Sequence, residues 1–374
     1  MFIQRQYVVP LLLIAVFLGA LFYPSSKSRF ATVARFSDFK SFPSQEVPRS
    51  GPVFNWVVRD DTFATSYRQP LNLLRQHSLA LVVIVDDTLV YEQYAPGYSR
   101  QSIFPSFSIA KSFVSTLVGI AVADGLIRHV DDPITDYLPE LDVKSFGSIT
   151  IEHLLNMQSG LDYSEAYDDS ESDITRDYFS EDLSNILETL RIAEPPGLHF
   201  KYVSINTQLL GMILARVSGM PLEKYLSESL WQPLGMNHDA TWSVDNERNK
   251  QVKAFCCINA EILDFAHLGR LYLQNGRWKY RQIVPKSWVR RSSELGKGSD
   301  IWHYGYHWWR NDRVISTTQL VPNDYYSSGY GGQYLYISPV NQMILVIMSS
   351  ENTGTFNHID AITELSRELS NKRH

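Results

Sequence analysis

A long apolar segment at residues 107–122 stops shortly before Gly125, which is the pattern of a helix with a glycine just beyond its end. Its apolar side chains form two stripes at helical spacing: Ile109, Phe113, Leu117 and Ile120 in one, and Val114, Val118 and Ala121 in the other. A helix that is apolar on most sides has to be buried. The sequence therefore predicts a helix in the interior of the folded body.

The polar residues of this helix share one face at positions i, i+3, i+4 and i+7: Ser108, Lys111, Ser112 and Ser115. Burial lowers the pKa of a lysine, and a neutral amine one turn from a serine hydroxyl can take its proton. Ser108 also lies in the first turn, where the helix dipole favours negative charge on a reacting oxygen. The alternative is a lysine that reaches the surface beside an incidental serine. Ser37 and Lys40 repeat the spacing where no helix is expected, and we interpret that copy as chance.

Apolar runs at both ends of the chain predict strands, at residues 79–85, 89–91, 304–309, 334–337 and 343–348. Between them, residues 131–245 contain helical patterns separated by Pro and Gly, which predict a mainly helical subdomain. A closing helix is expected at 356–369. Strands from both ends around a helical insertion indicate an α/β (α+β) fold, with one antiparallel sheet flanked by helices.

The first residues differ from the rest, because residues 7–23 (YVVPLLLIAVFLGALFY) carry no charge and are just long enough to cross a thin bilayer. No small-x-small cleavage site precedes Ser25, which favours an uncleaved anchor over a removed signal peptide. We therefore divide the chain into a membrane anchor or signal segment at 1–24, a tether at 25–52 where nothing catalytic is expected, and a globular domain at 53–374.

Charge and composition exclude several classes of function. The chain has 34 basic and 40 acidic residues and a net charge of -6, so it lacks the basic excess that nucleic-acid binding requires. The adjacent Cys256 and Cys257 cannot join distant segments and lack zinc-site spacing, so we interpret them as two small apolar side chains. His303 and His307 lie in a strand-like pattern without an acidic partner. The sequence predicts neither a metal nor a cofactor.

Several segments occur in the order seen in the serine β-lactamase-like family: FPSFSIAKSF, GLI..VDDPITDYLPEL, ITIEHLLNMQSGLDY, PPGLHFKYVSINTQLLG and SSGYGGQYLYISP. That family includes class C β-lactamases, penicillin-binding DD-peptidases, esterases and 6-aminohexanoate-dimer hydrolases. The later segment AFCCINAEILDFAHLGRLYLQNGRWKYRQIVPKSWV most resembles the last branch. The resemblance runs from about residue 54 to the end and implies a β-lactamase/transpeptidase-like fold.

The resemblance implies that Ser108 is the acylated nucleophile and Lys111 its partner. It places the second family motif, Tyr-x-Asn in many members, on Tyr202 and Ser204. By resemblance, Ser204 is a substrate-binding residue; a serine at this position keeps a hydrogen-bond donor but lacks the second donor of the amide. If Lys111 approaches Tyr202, its ammonium is expected to lower the phenol pKa, so that tyrosinate acts as base and later as acid to the leaving group.

The third family motif, Lys-Thr-Gly or His-Thr-Gly in relatives, falls on Tyr330, Gly331 and Gly332 and is followed by Gln333. By resemblance, the N–H of Gln333 and that of Ser108 form an oxyanion hole. The cation that would attract a substrate carboxylate is missing. This departure favours neutral amides or esters over anionic β-lactams or peptides.

The sequence thus predicts a serine hydrolase that cleaves a small-molecule amide or ester through an acyl-serine intermediate. One alternative is a DD-peptidase or β-lactamase, which Ser204 and Tyr330 disfavour. Another is a catalytically silent module that binds cell-wall fragments, which the intact Ser108, Lys111 and Tyr202 disfavour. The resemblance to the family implies a periplasmic catalytic domain on an inner-membrane anchor. The alternative is secretion to the periplasm after signal cleavage.

Overall fold

The computed structural model describes residues 34–59, 62–293, 304–311, 324–350 and 356–373. The predicted membrane segment at residues 7–23 and the residue His303 lie outside the described residues. Within the described ranges, every helix is too short or too polar to cross a membrane. The anchor or signal segment at 1–24 therefore stays a prediction.

Most strands belong to one large sheet. The strands are β1 (Ser44–Val47), β2 (Val57–Val58), β3 (Ala80–Val85), β4 (Thr88–Tyr94), β5 (Ile103–Pro105), β6 (Ala240–Ser243), β7 (Ile258–Glu261), β8 (Arg277–Trp278), β9 (Arg281–Gln282), β10 (Tyr304–Gly305), β11 (Trp308–Arg310), β12 (Tyr325–Gly329), β13 (Gln333–Ser338) and β14 (Met343–Met348). The large sheet has the order β10-β11-β12-β13-β14-β3-β4-β2, the small sheet has the order β1-β6-β7-β5, and β8 pairs with β9.

The large sheet is antiparallel apart from the short parallel pair β2 and β4. Within it, β3, near the amino end, pairs with β14, near the carboxyl end. The prediction of an antiparallel sheet built from both ends of the chain is thereby confirmed.

Helices cover both faces of this sheet, and helices also predominate in the middle of the sequence. The α-helices are α1 (Phe63–Ser66), α2 (Arg68–Gln76), α3 (Ile109–Ala123), α4 (Val143–Phe146), α5 (Ile151–Leu155), α6 (Asp173–Phe179), α7 (Ile205–Ser218), α8 (Leu222–Leu226), α9 (Ile262–Leu273), α10 (Lys286–Ser293) and α11 (His358–Arg373). Short 3-10 helices span Phe36–Lys40, Ile134–Asp136 and Ile186–Thr189, and a π-helix spans Ser227–Trp231. Residues 131–245 thus hold α4 to α8 and end in β6.

The central strands are buried on both faces, which explains why they are continuously apolar and do not alternate with polar residues. On one face, Val82 and Ile84 of β3 pack in the main core together with α3 and α9. On the other face, Leu81 and Val83 pack in a second core with α2 and α11. The sheet is therefore the middle of three layers, and α3 lies inside the thicker side.

Helix α3 is the buried helix that the apolar pattern predicts. Its residues from Ile109 to Ala121 are all buried. It follows directly on β5, and the connecting residue Phe107 has a φ of 42°. This left-handed backbone is costly for a bulky residue, and such strain is commonly found at functional sites.

Part of the predicted tether belongs to the folded body. Strand β1 pairs antiparallel with β6 over four residue pairs, so it forms an edge of the small sheet. Phe36 packs edge-on against Tyr98 and Phe104. The predicted boundary at 52/53 is therefore too late, because the folded body already includes residues from 34 onward.

Cys256 and Cys257 are buried, each 4% exposed, but they are not two free apolar side chains. They form a disulfide with each other. Cys257 adopts a φ of 75°, a backbone region that residues other than glycine rarely occupy. The interpretation of Cys256 and Cys257 as two small apolar side chains is therefore wrong. It considered only bonds to distant segments and zinc ligation, and not a bond between the two neighbours.

Candidate active site

Ser108 is the N-cap of α3 and is half-buried, so its hydroxyl reaches both the interior and the solvent. The backbone before it is held by Ser106, whose N–H donates to the carbonyl of Ile258 at 2.7 Å. The Ser106 hydroxyl accepts from the N–H of Ile258 at 3.0 Å. The small sheet therefore fixes the position at which α3 begins.

Lys111 lies one turn into α3 and is only 1% exposed. Its Nζ lies 2.9 Å from Oγ of Ser108 and donates to the carbonyl of Phe255 at 2.9 Å. Burial lowers the pKa of Lys111 to about 8, although the nearby carboxylate of Glu165 acts in the opposite direction. The predicted pair of a serine and a desolvated lysine is thus brought together, and the lysine does not reach the surface.

Tyr202 completes the cluster from the residues that precede α7. Nζ of Lys111 lies 5.1 Å from the centroid of its ring, which stacks on Trp309 with the centroids 5.6 Å apart. Burial raises the pKa of Tyr202, Glu165 raises it further, and a hydrogen bond with Ser108 acts the other way. The expectation of a lowered phenol pKa is therefore wrong, because burial and the carboxylate of Glu165 raise this pKa more than the hydrogen bond with Ser108 lowers it.

Glu165 is a site residue that the sequence analysis missed. Its carboxylate accepts from the N–H of Ser204 at 2.8 Å, from the Ser204 hydroxyl at 2.6 Å and from the hydroxyl of Tyr167 at 2.6 Å. Its charge acts on both Lys111 and Tyr202. A single glutamate in an acidic loop carries no signal of this role in the sequence, since its partner Ser204 lies 39 residues further along the chain.

Ser204 was expected to contact substrate. The structure directs its hydroxyl at Glu165, although the residue also lines the pocket described below. This bond ties the start of α7 to the loop that contains Glu165. Both the N–H and the hydroxyl of Ser204 therefore donate to another residue of the protein.

The third predicted motif lies in the turn between β12 and β13. A Cβ atom on Gly329 would come within 2.6 Å of the carbonyl oxygen of Ser106, so only glycine allows the turn to approach the start of α3 this closely. Gly331 and Gly332 have φ values of 83° and 92°. Tyr330 lies beside the pocket, where its ring packs on Phe107 and Tyr167.

Gln333 begins β13 opposite Gly329. Its side chain is fully buried and bonded to the backbone of Ser349: Nε2 donates to the carbonyl at 2.6 Å, and Oε1 accepts from the N–H at 2.9 Å. The side chain thus anchors the strand end. Any contact of Gln333 with substrate has to come from its backbone.

A pocket of about 410 Å³, counted with its opening to solvent, leads to Ser108. Its lining residues are mostly aromatic or apolar: Ala34, Phe107, Ser108, Tyr167, Ile174, Thr175, Tyr178, Phe179, Ser204, Phe255, Cys256 and Tyr330. None of these described residues is a lysine or arginine. The chemistry of this lining favours an uncharged, partly apolar group.

His307 is a core residue. Its ring nitrogens lie 3.1 Å from Oγ1 of Thr207 and 3.2 Å from the hydroxyl of Tyr304, and burial lowers its pKa to about 3. Among the described residues, no group of three or more His, Cys, Asp or Glu could hold a metal ion.

Known proteins resemble this chain in sequence. A family model described as Beta-lactamase matches residues 72–367. A 6-aminohexanoate-dimer hydrolase of Paenarthrobacter ureafaciens is 27% identical over 317 residues, which cover 79% of this chain and 78% of that protein.

Solved structures share the fold. A Bacillus anthracis protein assigned as a 6-aminohexanoate-dimer hydrolase superposes with a TM-score of 0.75 at 23% identity, covering 93% of this chain and 95% of its own. A class C β-lactamase mutant superposes with a TM-score of 0.61 at 18% identity, covering 83% and 97%. The predicted fold class and family resemblance are both confirmed. With more than half of its length matched, this chain belongs to the β-lactamase family and is a serine hydrolase of that family.

Proposed function

We propose that this hydrolase cleaves an amide or ester by acyl transfer to Ser108. The observation that carries the proposal is the distance of 2.9 Å between Nζ of Lys111 and Oγ of Ser108, on a helix that excludes water from the amine. Oγ attacks the substrate carbonyl, the leaving group departs with a proton, and water then hydrolyses the acyl-serine to release the acid.

The proposed proton shuttle follows from the lowered pKa of Lys111 and the raised pKa of Tyr202. With a pKa of about 8, about a tenth of the Lys111 side chains are neutral at pH 7 and can take the proton of Ser108. Burial and Glu165 keep Tyr202 in its neutral phenol form. Lys111 is therefore the resting base, and Tyr202 passes a proton to the leaving group and regains one from the ammonium.

Oxyanion stabilisation is assigned to two backbone N–H groups, those of Ser108 and Gln333. The N–H of Ser108 precedes the first intrahelical bond of α3, which supports its use by a substrate oxygen. The close approach of Gly329 to Ser106 supports a role for the nearby start of β13. Together these donors would face the developing negative charge.

The substrate is proposed to be a neutral amide or ester with an apolar group beside the scissile bond. The aromatic lining and the lack of lysine and arginine among the described lining residues support this class. The carboxylate of Glu165 next to the site disfavours anionic substrates. A relative named for hydrolysing a 6-aminohexanoate dimer supports cleavage of an amide.

The deciding experiment compares Ser108→Ala with Ser37→Ala. Both changes remove a serine hydroxyl from a Ser-x-x-Lys sequence, but only Ser108 faces the pocket. Ser108→Ala is expected to lower kcat on p-nitrophenyl esters and linear amide dimers by on the order of 10⁶-fold, while Ser37→Ala retains wild-type turnover. Wild-type turnover by Ser108→Ala would refute the proposal.

Attachment to a membrane through residues 7–23 is a separate hypothesis, supported by the absence of charge in that segment. Cell fractionation of the full chain and of a chain starting at residue 25 tests it. The full chain is expected in the membrane fraction and the shortened chain outside it; equal distribution of the two would contradict the hypothesis.

A further inference from the structure

The disulfide between Cys256 and Cys257 lies beside the candidate nucleophile. Cys256 lines the same pocket as Ser108, and the preceding residue, Phe255, lines it too. Because the bonded residues are adjacent, the bond encloses almost no chain and constrains the unfolded state little. Its effect is therefore expected to be local, on the backbone around residues 255–258.

This backbone holds both partners of the proposed nucleophile pair. The carbonyl of Phe255 accepts the hydrogen bond from Nζ of Lys111 at 2.9 Å. On the other side of the disulfide, Ile258 exchanges two hydrogen bonds with Ser106, two residues before Ser108. The disulfide thus lies in the backbone between Phe255, which binds the amine, and Ile258, which fixes the backbone before Ser108.

The same loop is fixed to the small sheet by its carbonyl groups. Nε1 of Trp242 donates to the carbonyl of Cys256 at 2.7 Å, and the N–H of Ser243 donates to that of Cys257 at 3.0 Å. The backbone that makes these bonds requires Cys257 at a φ of 75°. An open dithiol has no covalent link to hold that conformation, which is costly for a residue with a Cβ atom.

Lys111 has few other anchors. Its Nζ bonds to Ser108 and to the carbonyl of Phe255, and the carboxylate of Glu165 acts on it through charge. Among the described residues, the bond to the Phe255 carbonyl is the hydrogen bond that holds the amine beside Oγ, and a shift of that carbonyl removes it. A misplacement of about 1 Å near reacting atoms can cost about 10²-fold in rate.

We propose that the Cys256–Cys257 disulfide positions Lys111 for proton transfer by fixing the carbonyl of Phe255, so that the acylation rate depends on the redox state of this bond. The inference rests on the proposed function of Ser108. Reduction by a dithiol such as dithiothreitol adds two electrons and two protons to the disulfide and gives two thiols, and the dithiol becomes a cyclic disulfide.

The experiment measures hydrolysis of a p-nitrophenyl ester by the full chain, oxidised and after dithiothreitol, with the thiols counted by alkylation and mass. Reduction is expected to lower kcat by about 10- to 100-fold, with a smaller change in KM, and reoxidation should restore it. The double variant Cys256→Ser/Cys257→Ser is expected to resemble the reduced protein and to be insensitive to dithiothreitol. Circular dichroism checks that each form stays folded.

A second readout is independent of turnover. In protein labelled with ¹³Cε-lysine, the Lys111 signal is assigned by its absence in Lys111→Arg, and it is expected to shift when the disulfide opens. An unchanged kcat and an unchanged Lys111 signal would overturn the proposal. If Ser108→Ala keeps wild-type turnover, the proposed function fails, but the NMR signal still decides whether the disulfide positions Lys111.

Discussion

Two Ser-x-x-Lys sequences occur in this chain, and they differ in burial: the lysine of one is exposed and the lysine of the other is buried. Ser37 and Lys40 lie exposed on a short 3-10 helix, where Nζ of Lys40 lies 5.8 Å from the centroid of the Phe39 ring. Lys111 lies inside the protein, with Nζ 2.9 Å from Oγ of Ser108. The spacing is the same, so what distinguishes the two serine–lysine pairs is burial of the amine and the groups around it.

A second comparison involves the two buried lysines. Burial lowers the pKa of Lys253 to about 8, as it does for Lys111. Nζ of Lys253, however, donates to the carbonyl of Ser180 at 2.8 Å and to that of Asp177 at 3.3 Å, at the end of α6. A desolvated amine is therefore not sufficient for this chemistry, since a hydroxyl and an accessible pocket have to accompany it.

Among the changes that test these comparisons, replacing Lys111 by methionine is expected to have the largest effect, with the same replacement at Lys40 as its control. Lys111→Met should lower kcat/KM for p-nitrophenyl esters by roughly 10²- to 10⁴-fold, because the proposed general base is lost. Lys40→Met should leave kcat/KM unchanged, since Lys40 is exposed and is not among the residues that line the pocket. Similar losses in the two variants would show that the local motif, not its burial, determines the activity.

Tyr202→Phe is expected to have the next largest effect. The ring keeps its stacking on Trp309, but the hydroxyl that would protonate the leaving group is removed. We expect about 10²-fold slower hydrolysis of amides and a smaller loss with p-nitrophenyl esters, whose leaving group departs without a proton. Tyr304→Phe, which removes a neighbouring hydroxyl bonded to His307, is the control and should lose far less. Equal losses with both substrates would contradict this role.

Lys253→Met tests the other buried lysine. The change leaves the carbonyls of Asp177 and Ser180 without their donor, so the free energy of unfolding should fall by about 1–3 kcal/mol in urea titrations. The pH midpoint of activity should not move, because Lys253 carries no proton of the reaction. A shifted midpoint would mean that the two lysines are not separate in function.

The smallest effect is a shift in pH dependence. The reaction needs neutral Lys111, so kcat/KM should rise with pH and level off above a midpoint near pH 8. The carboxylate of Glu165 stabilises the ammonium, so Glu165→Gln should lower the pKa of Lys111 and move the midpoint to lower pH. Asp168→Asn, an exposed charge change near Tyr330, should leave it in place. A midpoint that moves upward in Glu165→Gln would contradict this account.

Parts of the molecule with strong local patterns could be predicted from sequence. The apolar segment at 107–122 corresponds to α3 at Ile109–Ala123, and the apolar runs near both ends correspond to β3 and β14. Strand β1 was missed because its residues, SQEV, form a strand only through pairing with β6. Local propensity is weak there, and the pairing lies almost two hundred positions along the chain.

The sequence by itself determined that a serine and a lysine share one face of a buried helix, because helical periodicity is a local property that can be read from spacing. The tertiary structure decided which groups surround the lysine. Its carbonyl partner is 144 residues away, and Glu165 meets Ser204 from 39 residues away. These contacts and the burial they create set the protonation of the amine and the phenol, and such long-range packing leaves no pattern in the sequence.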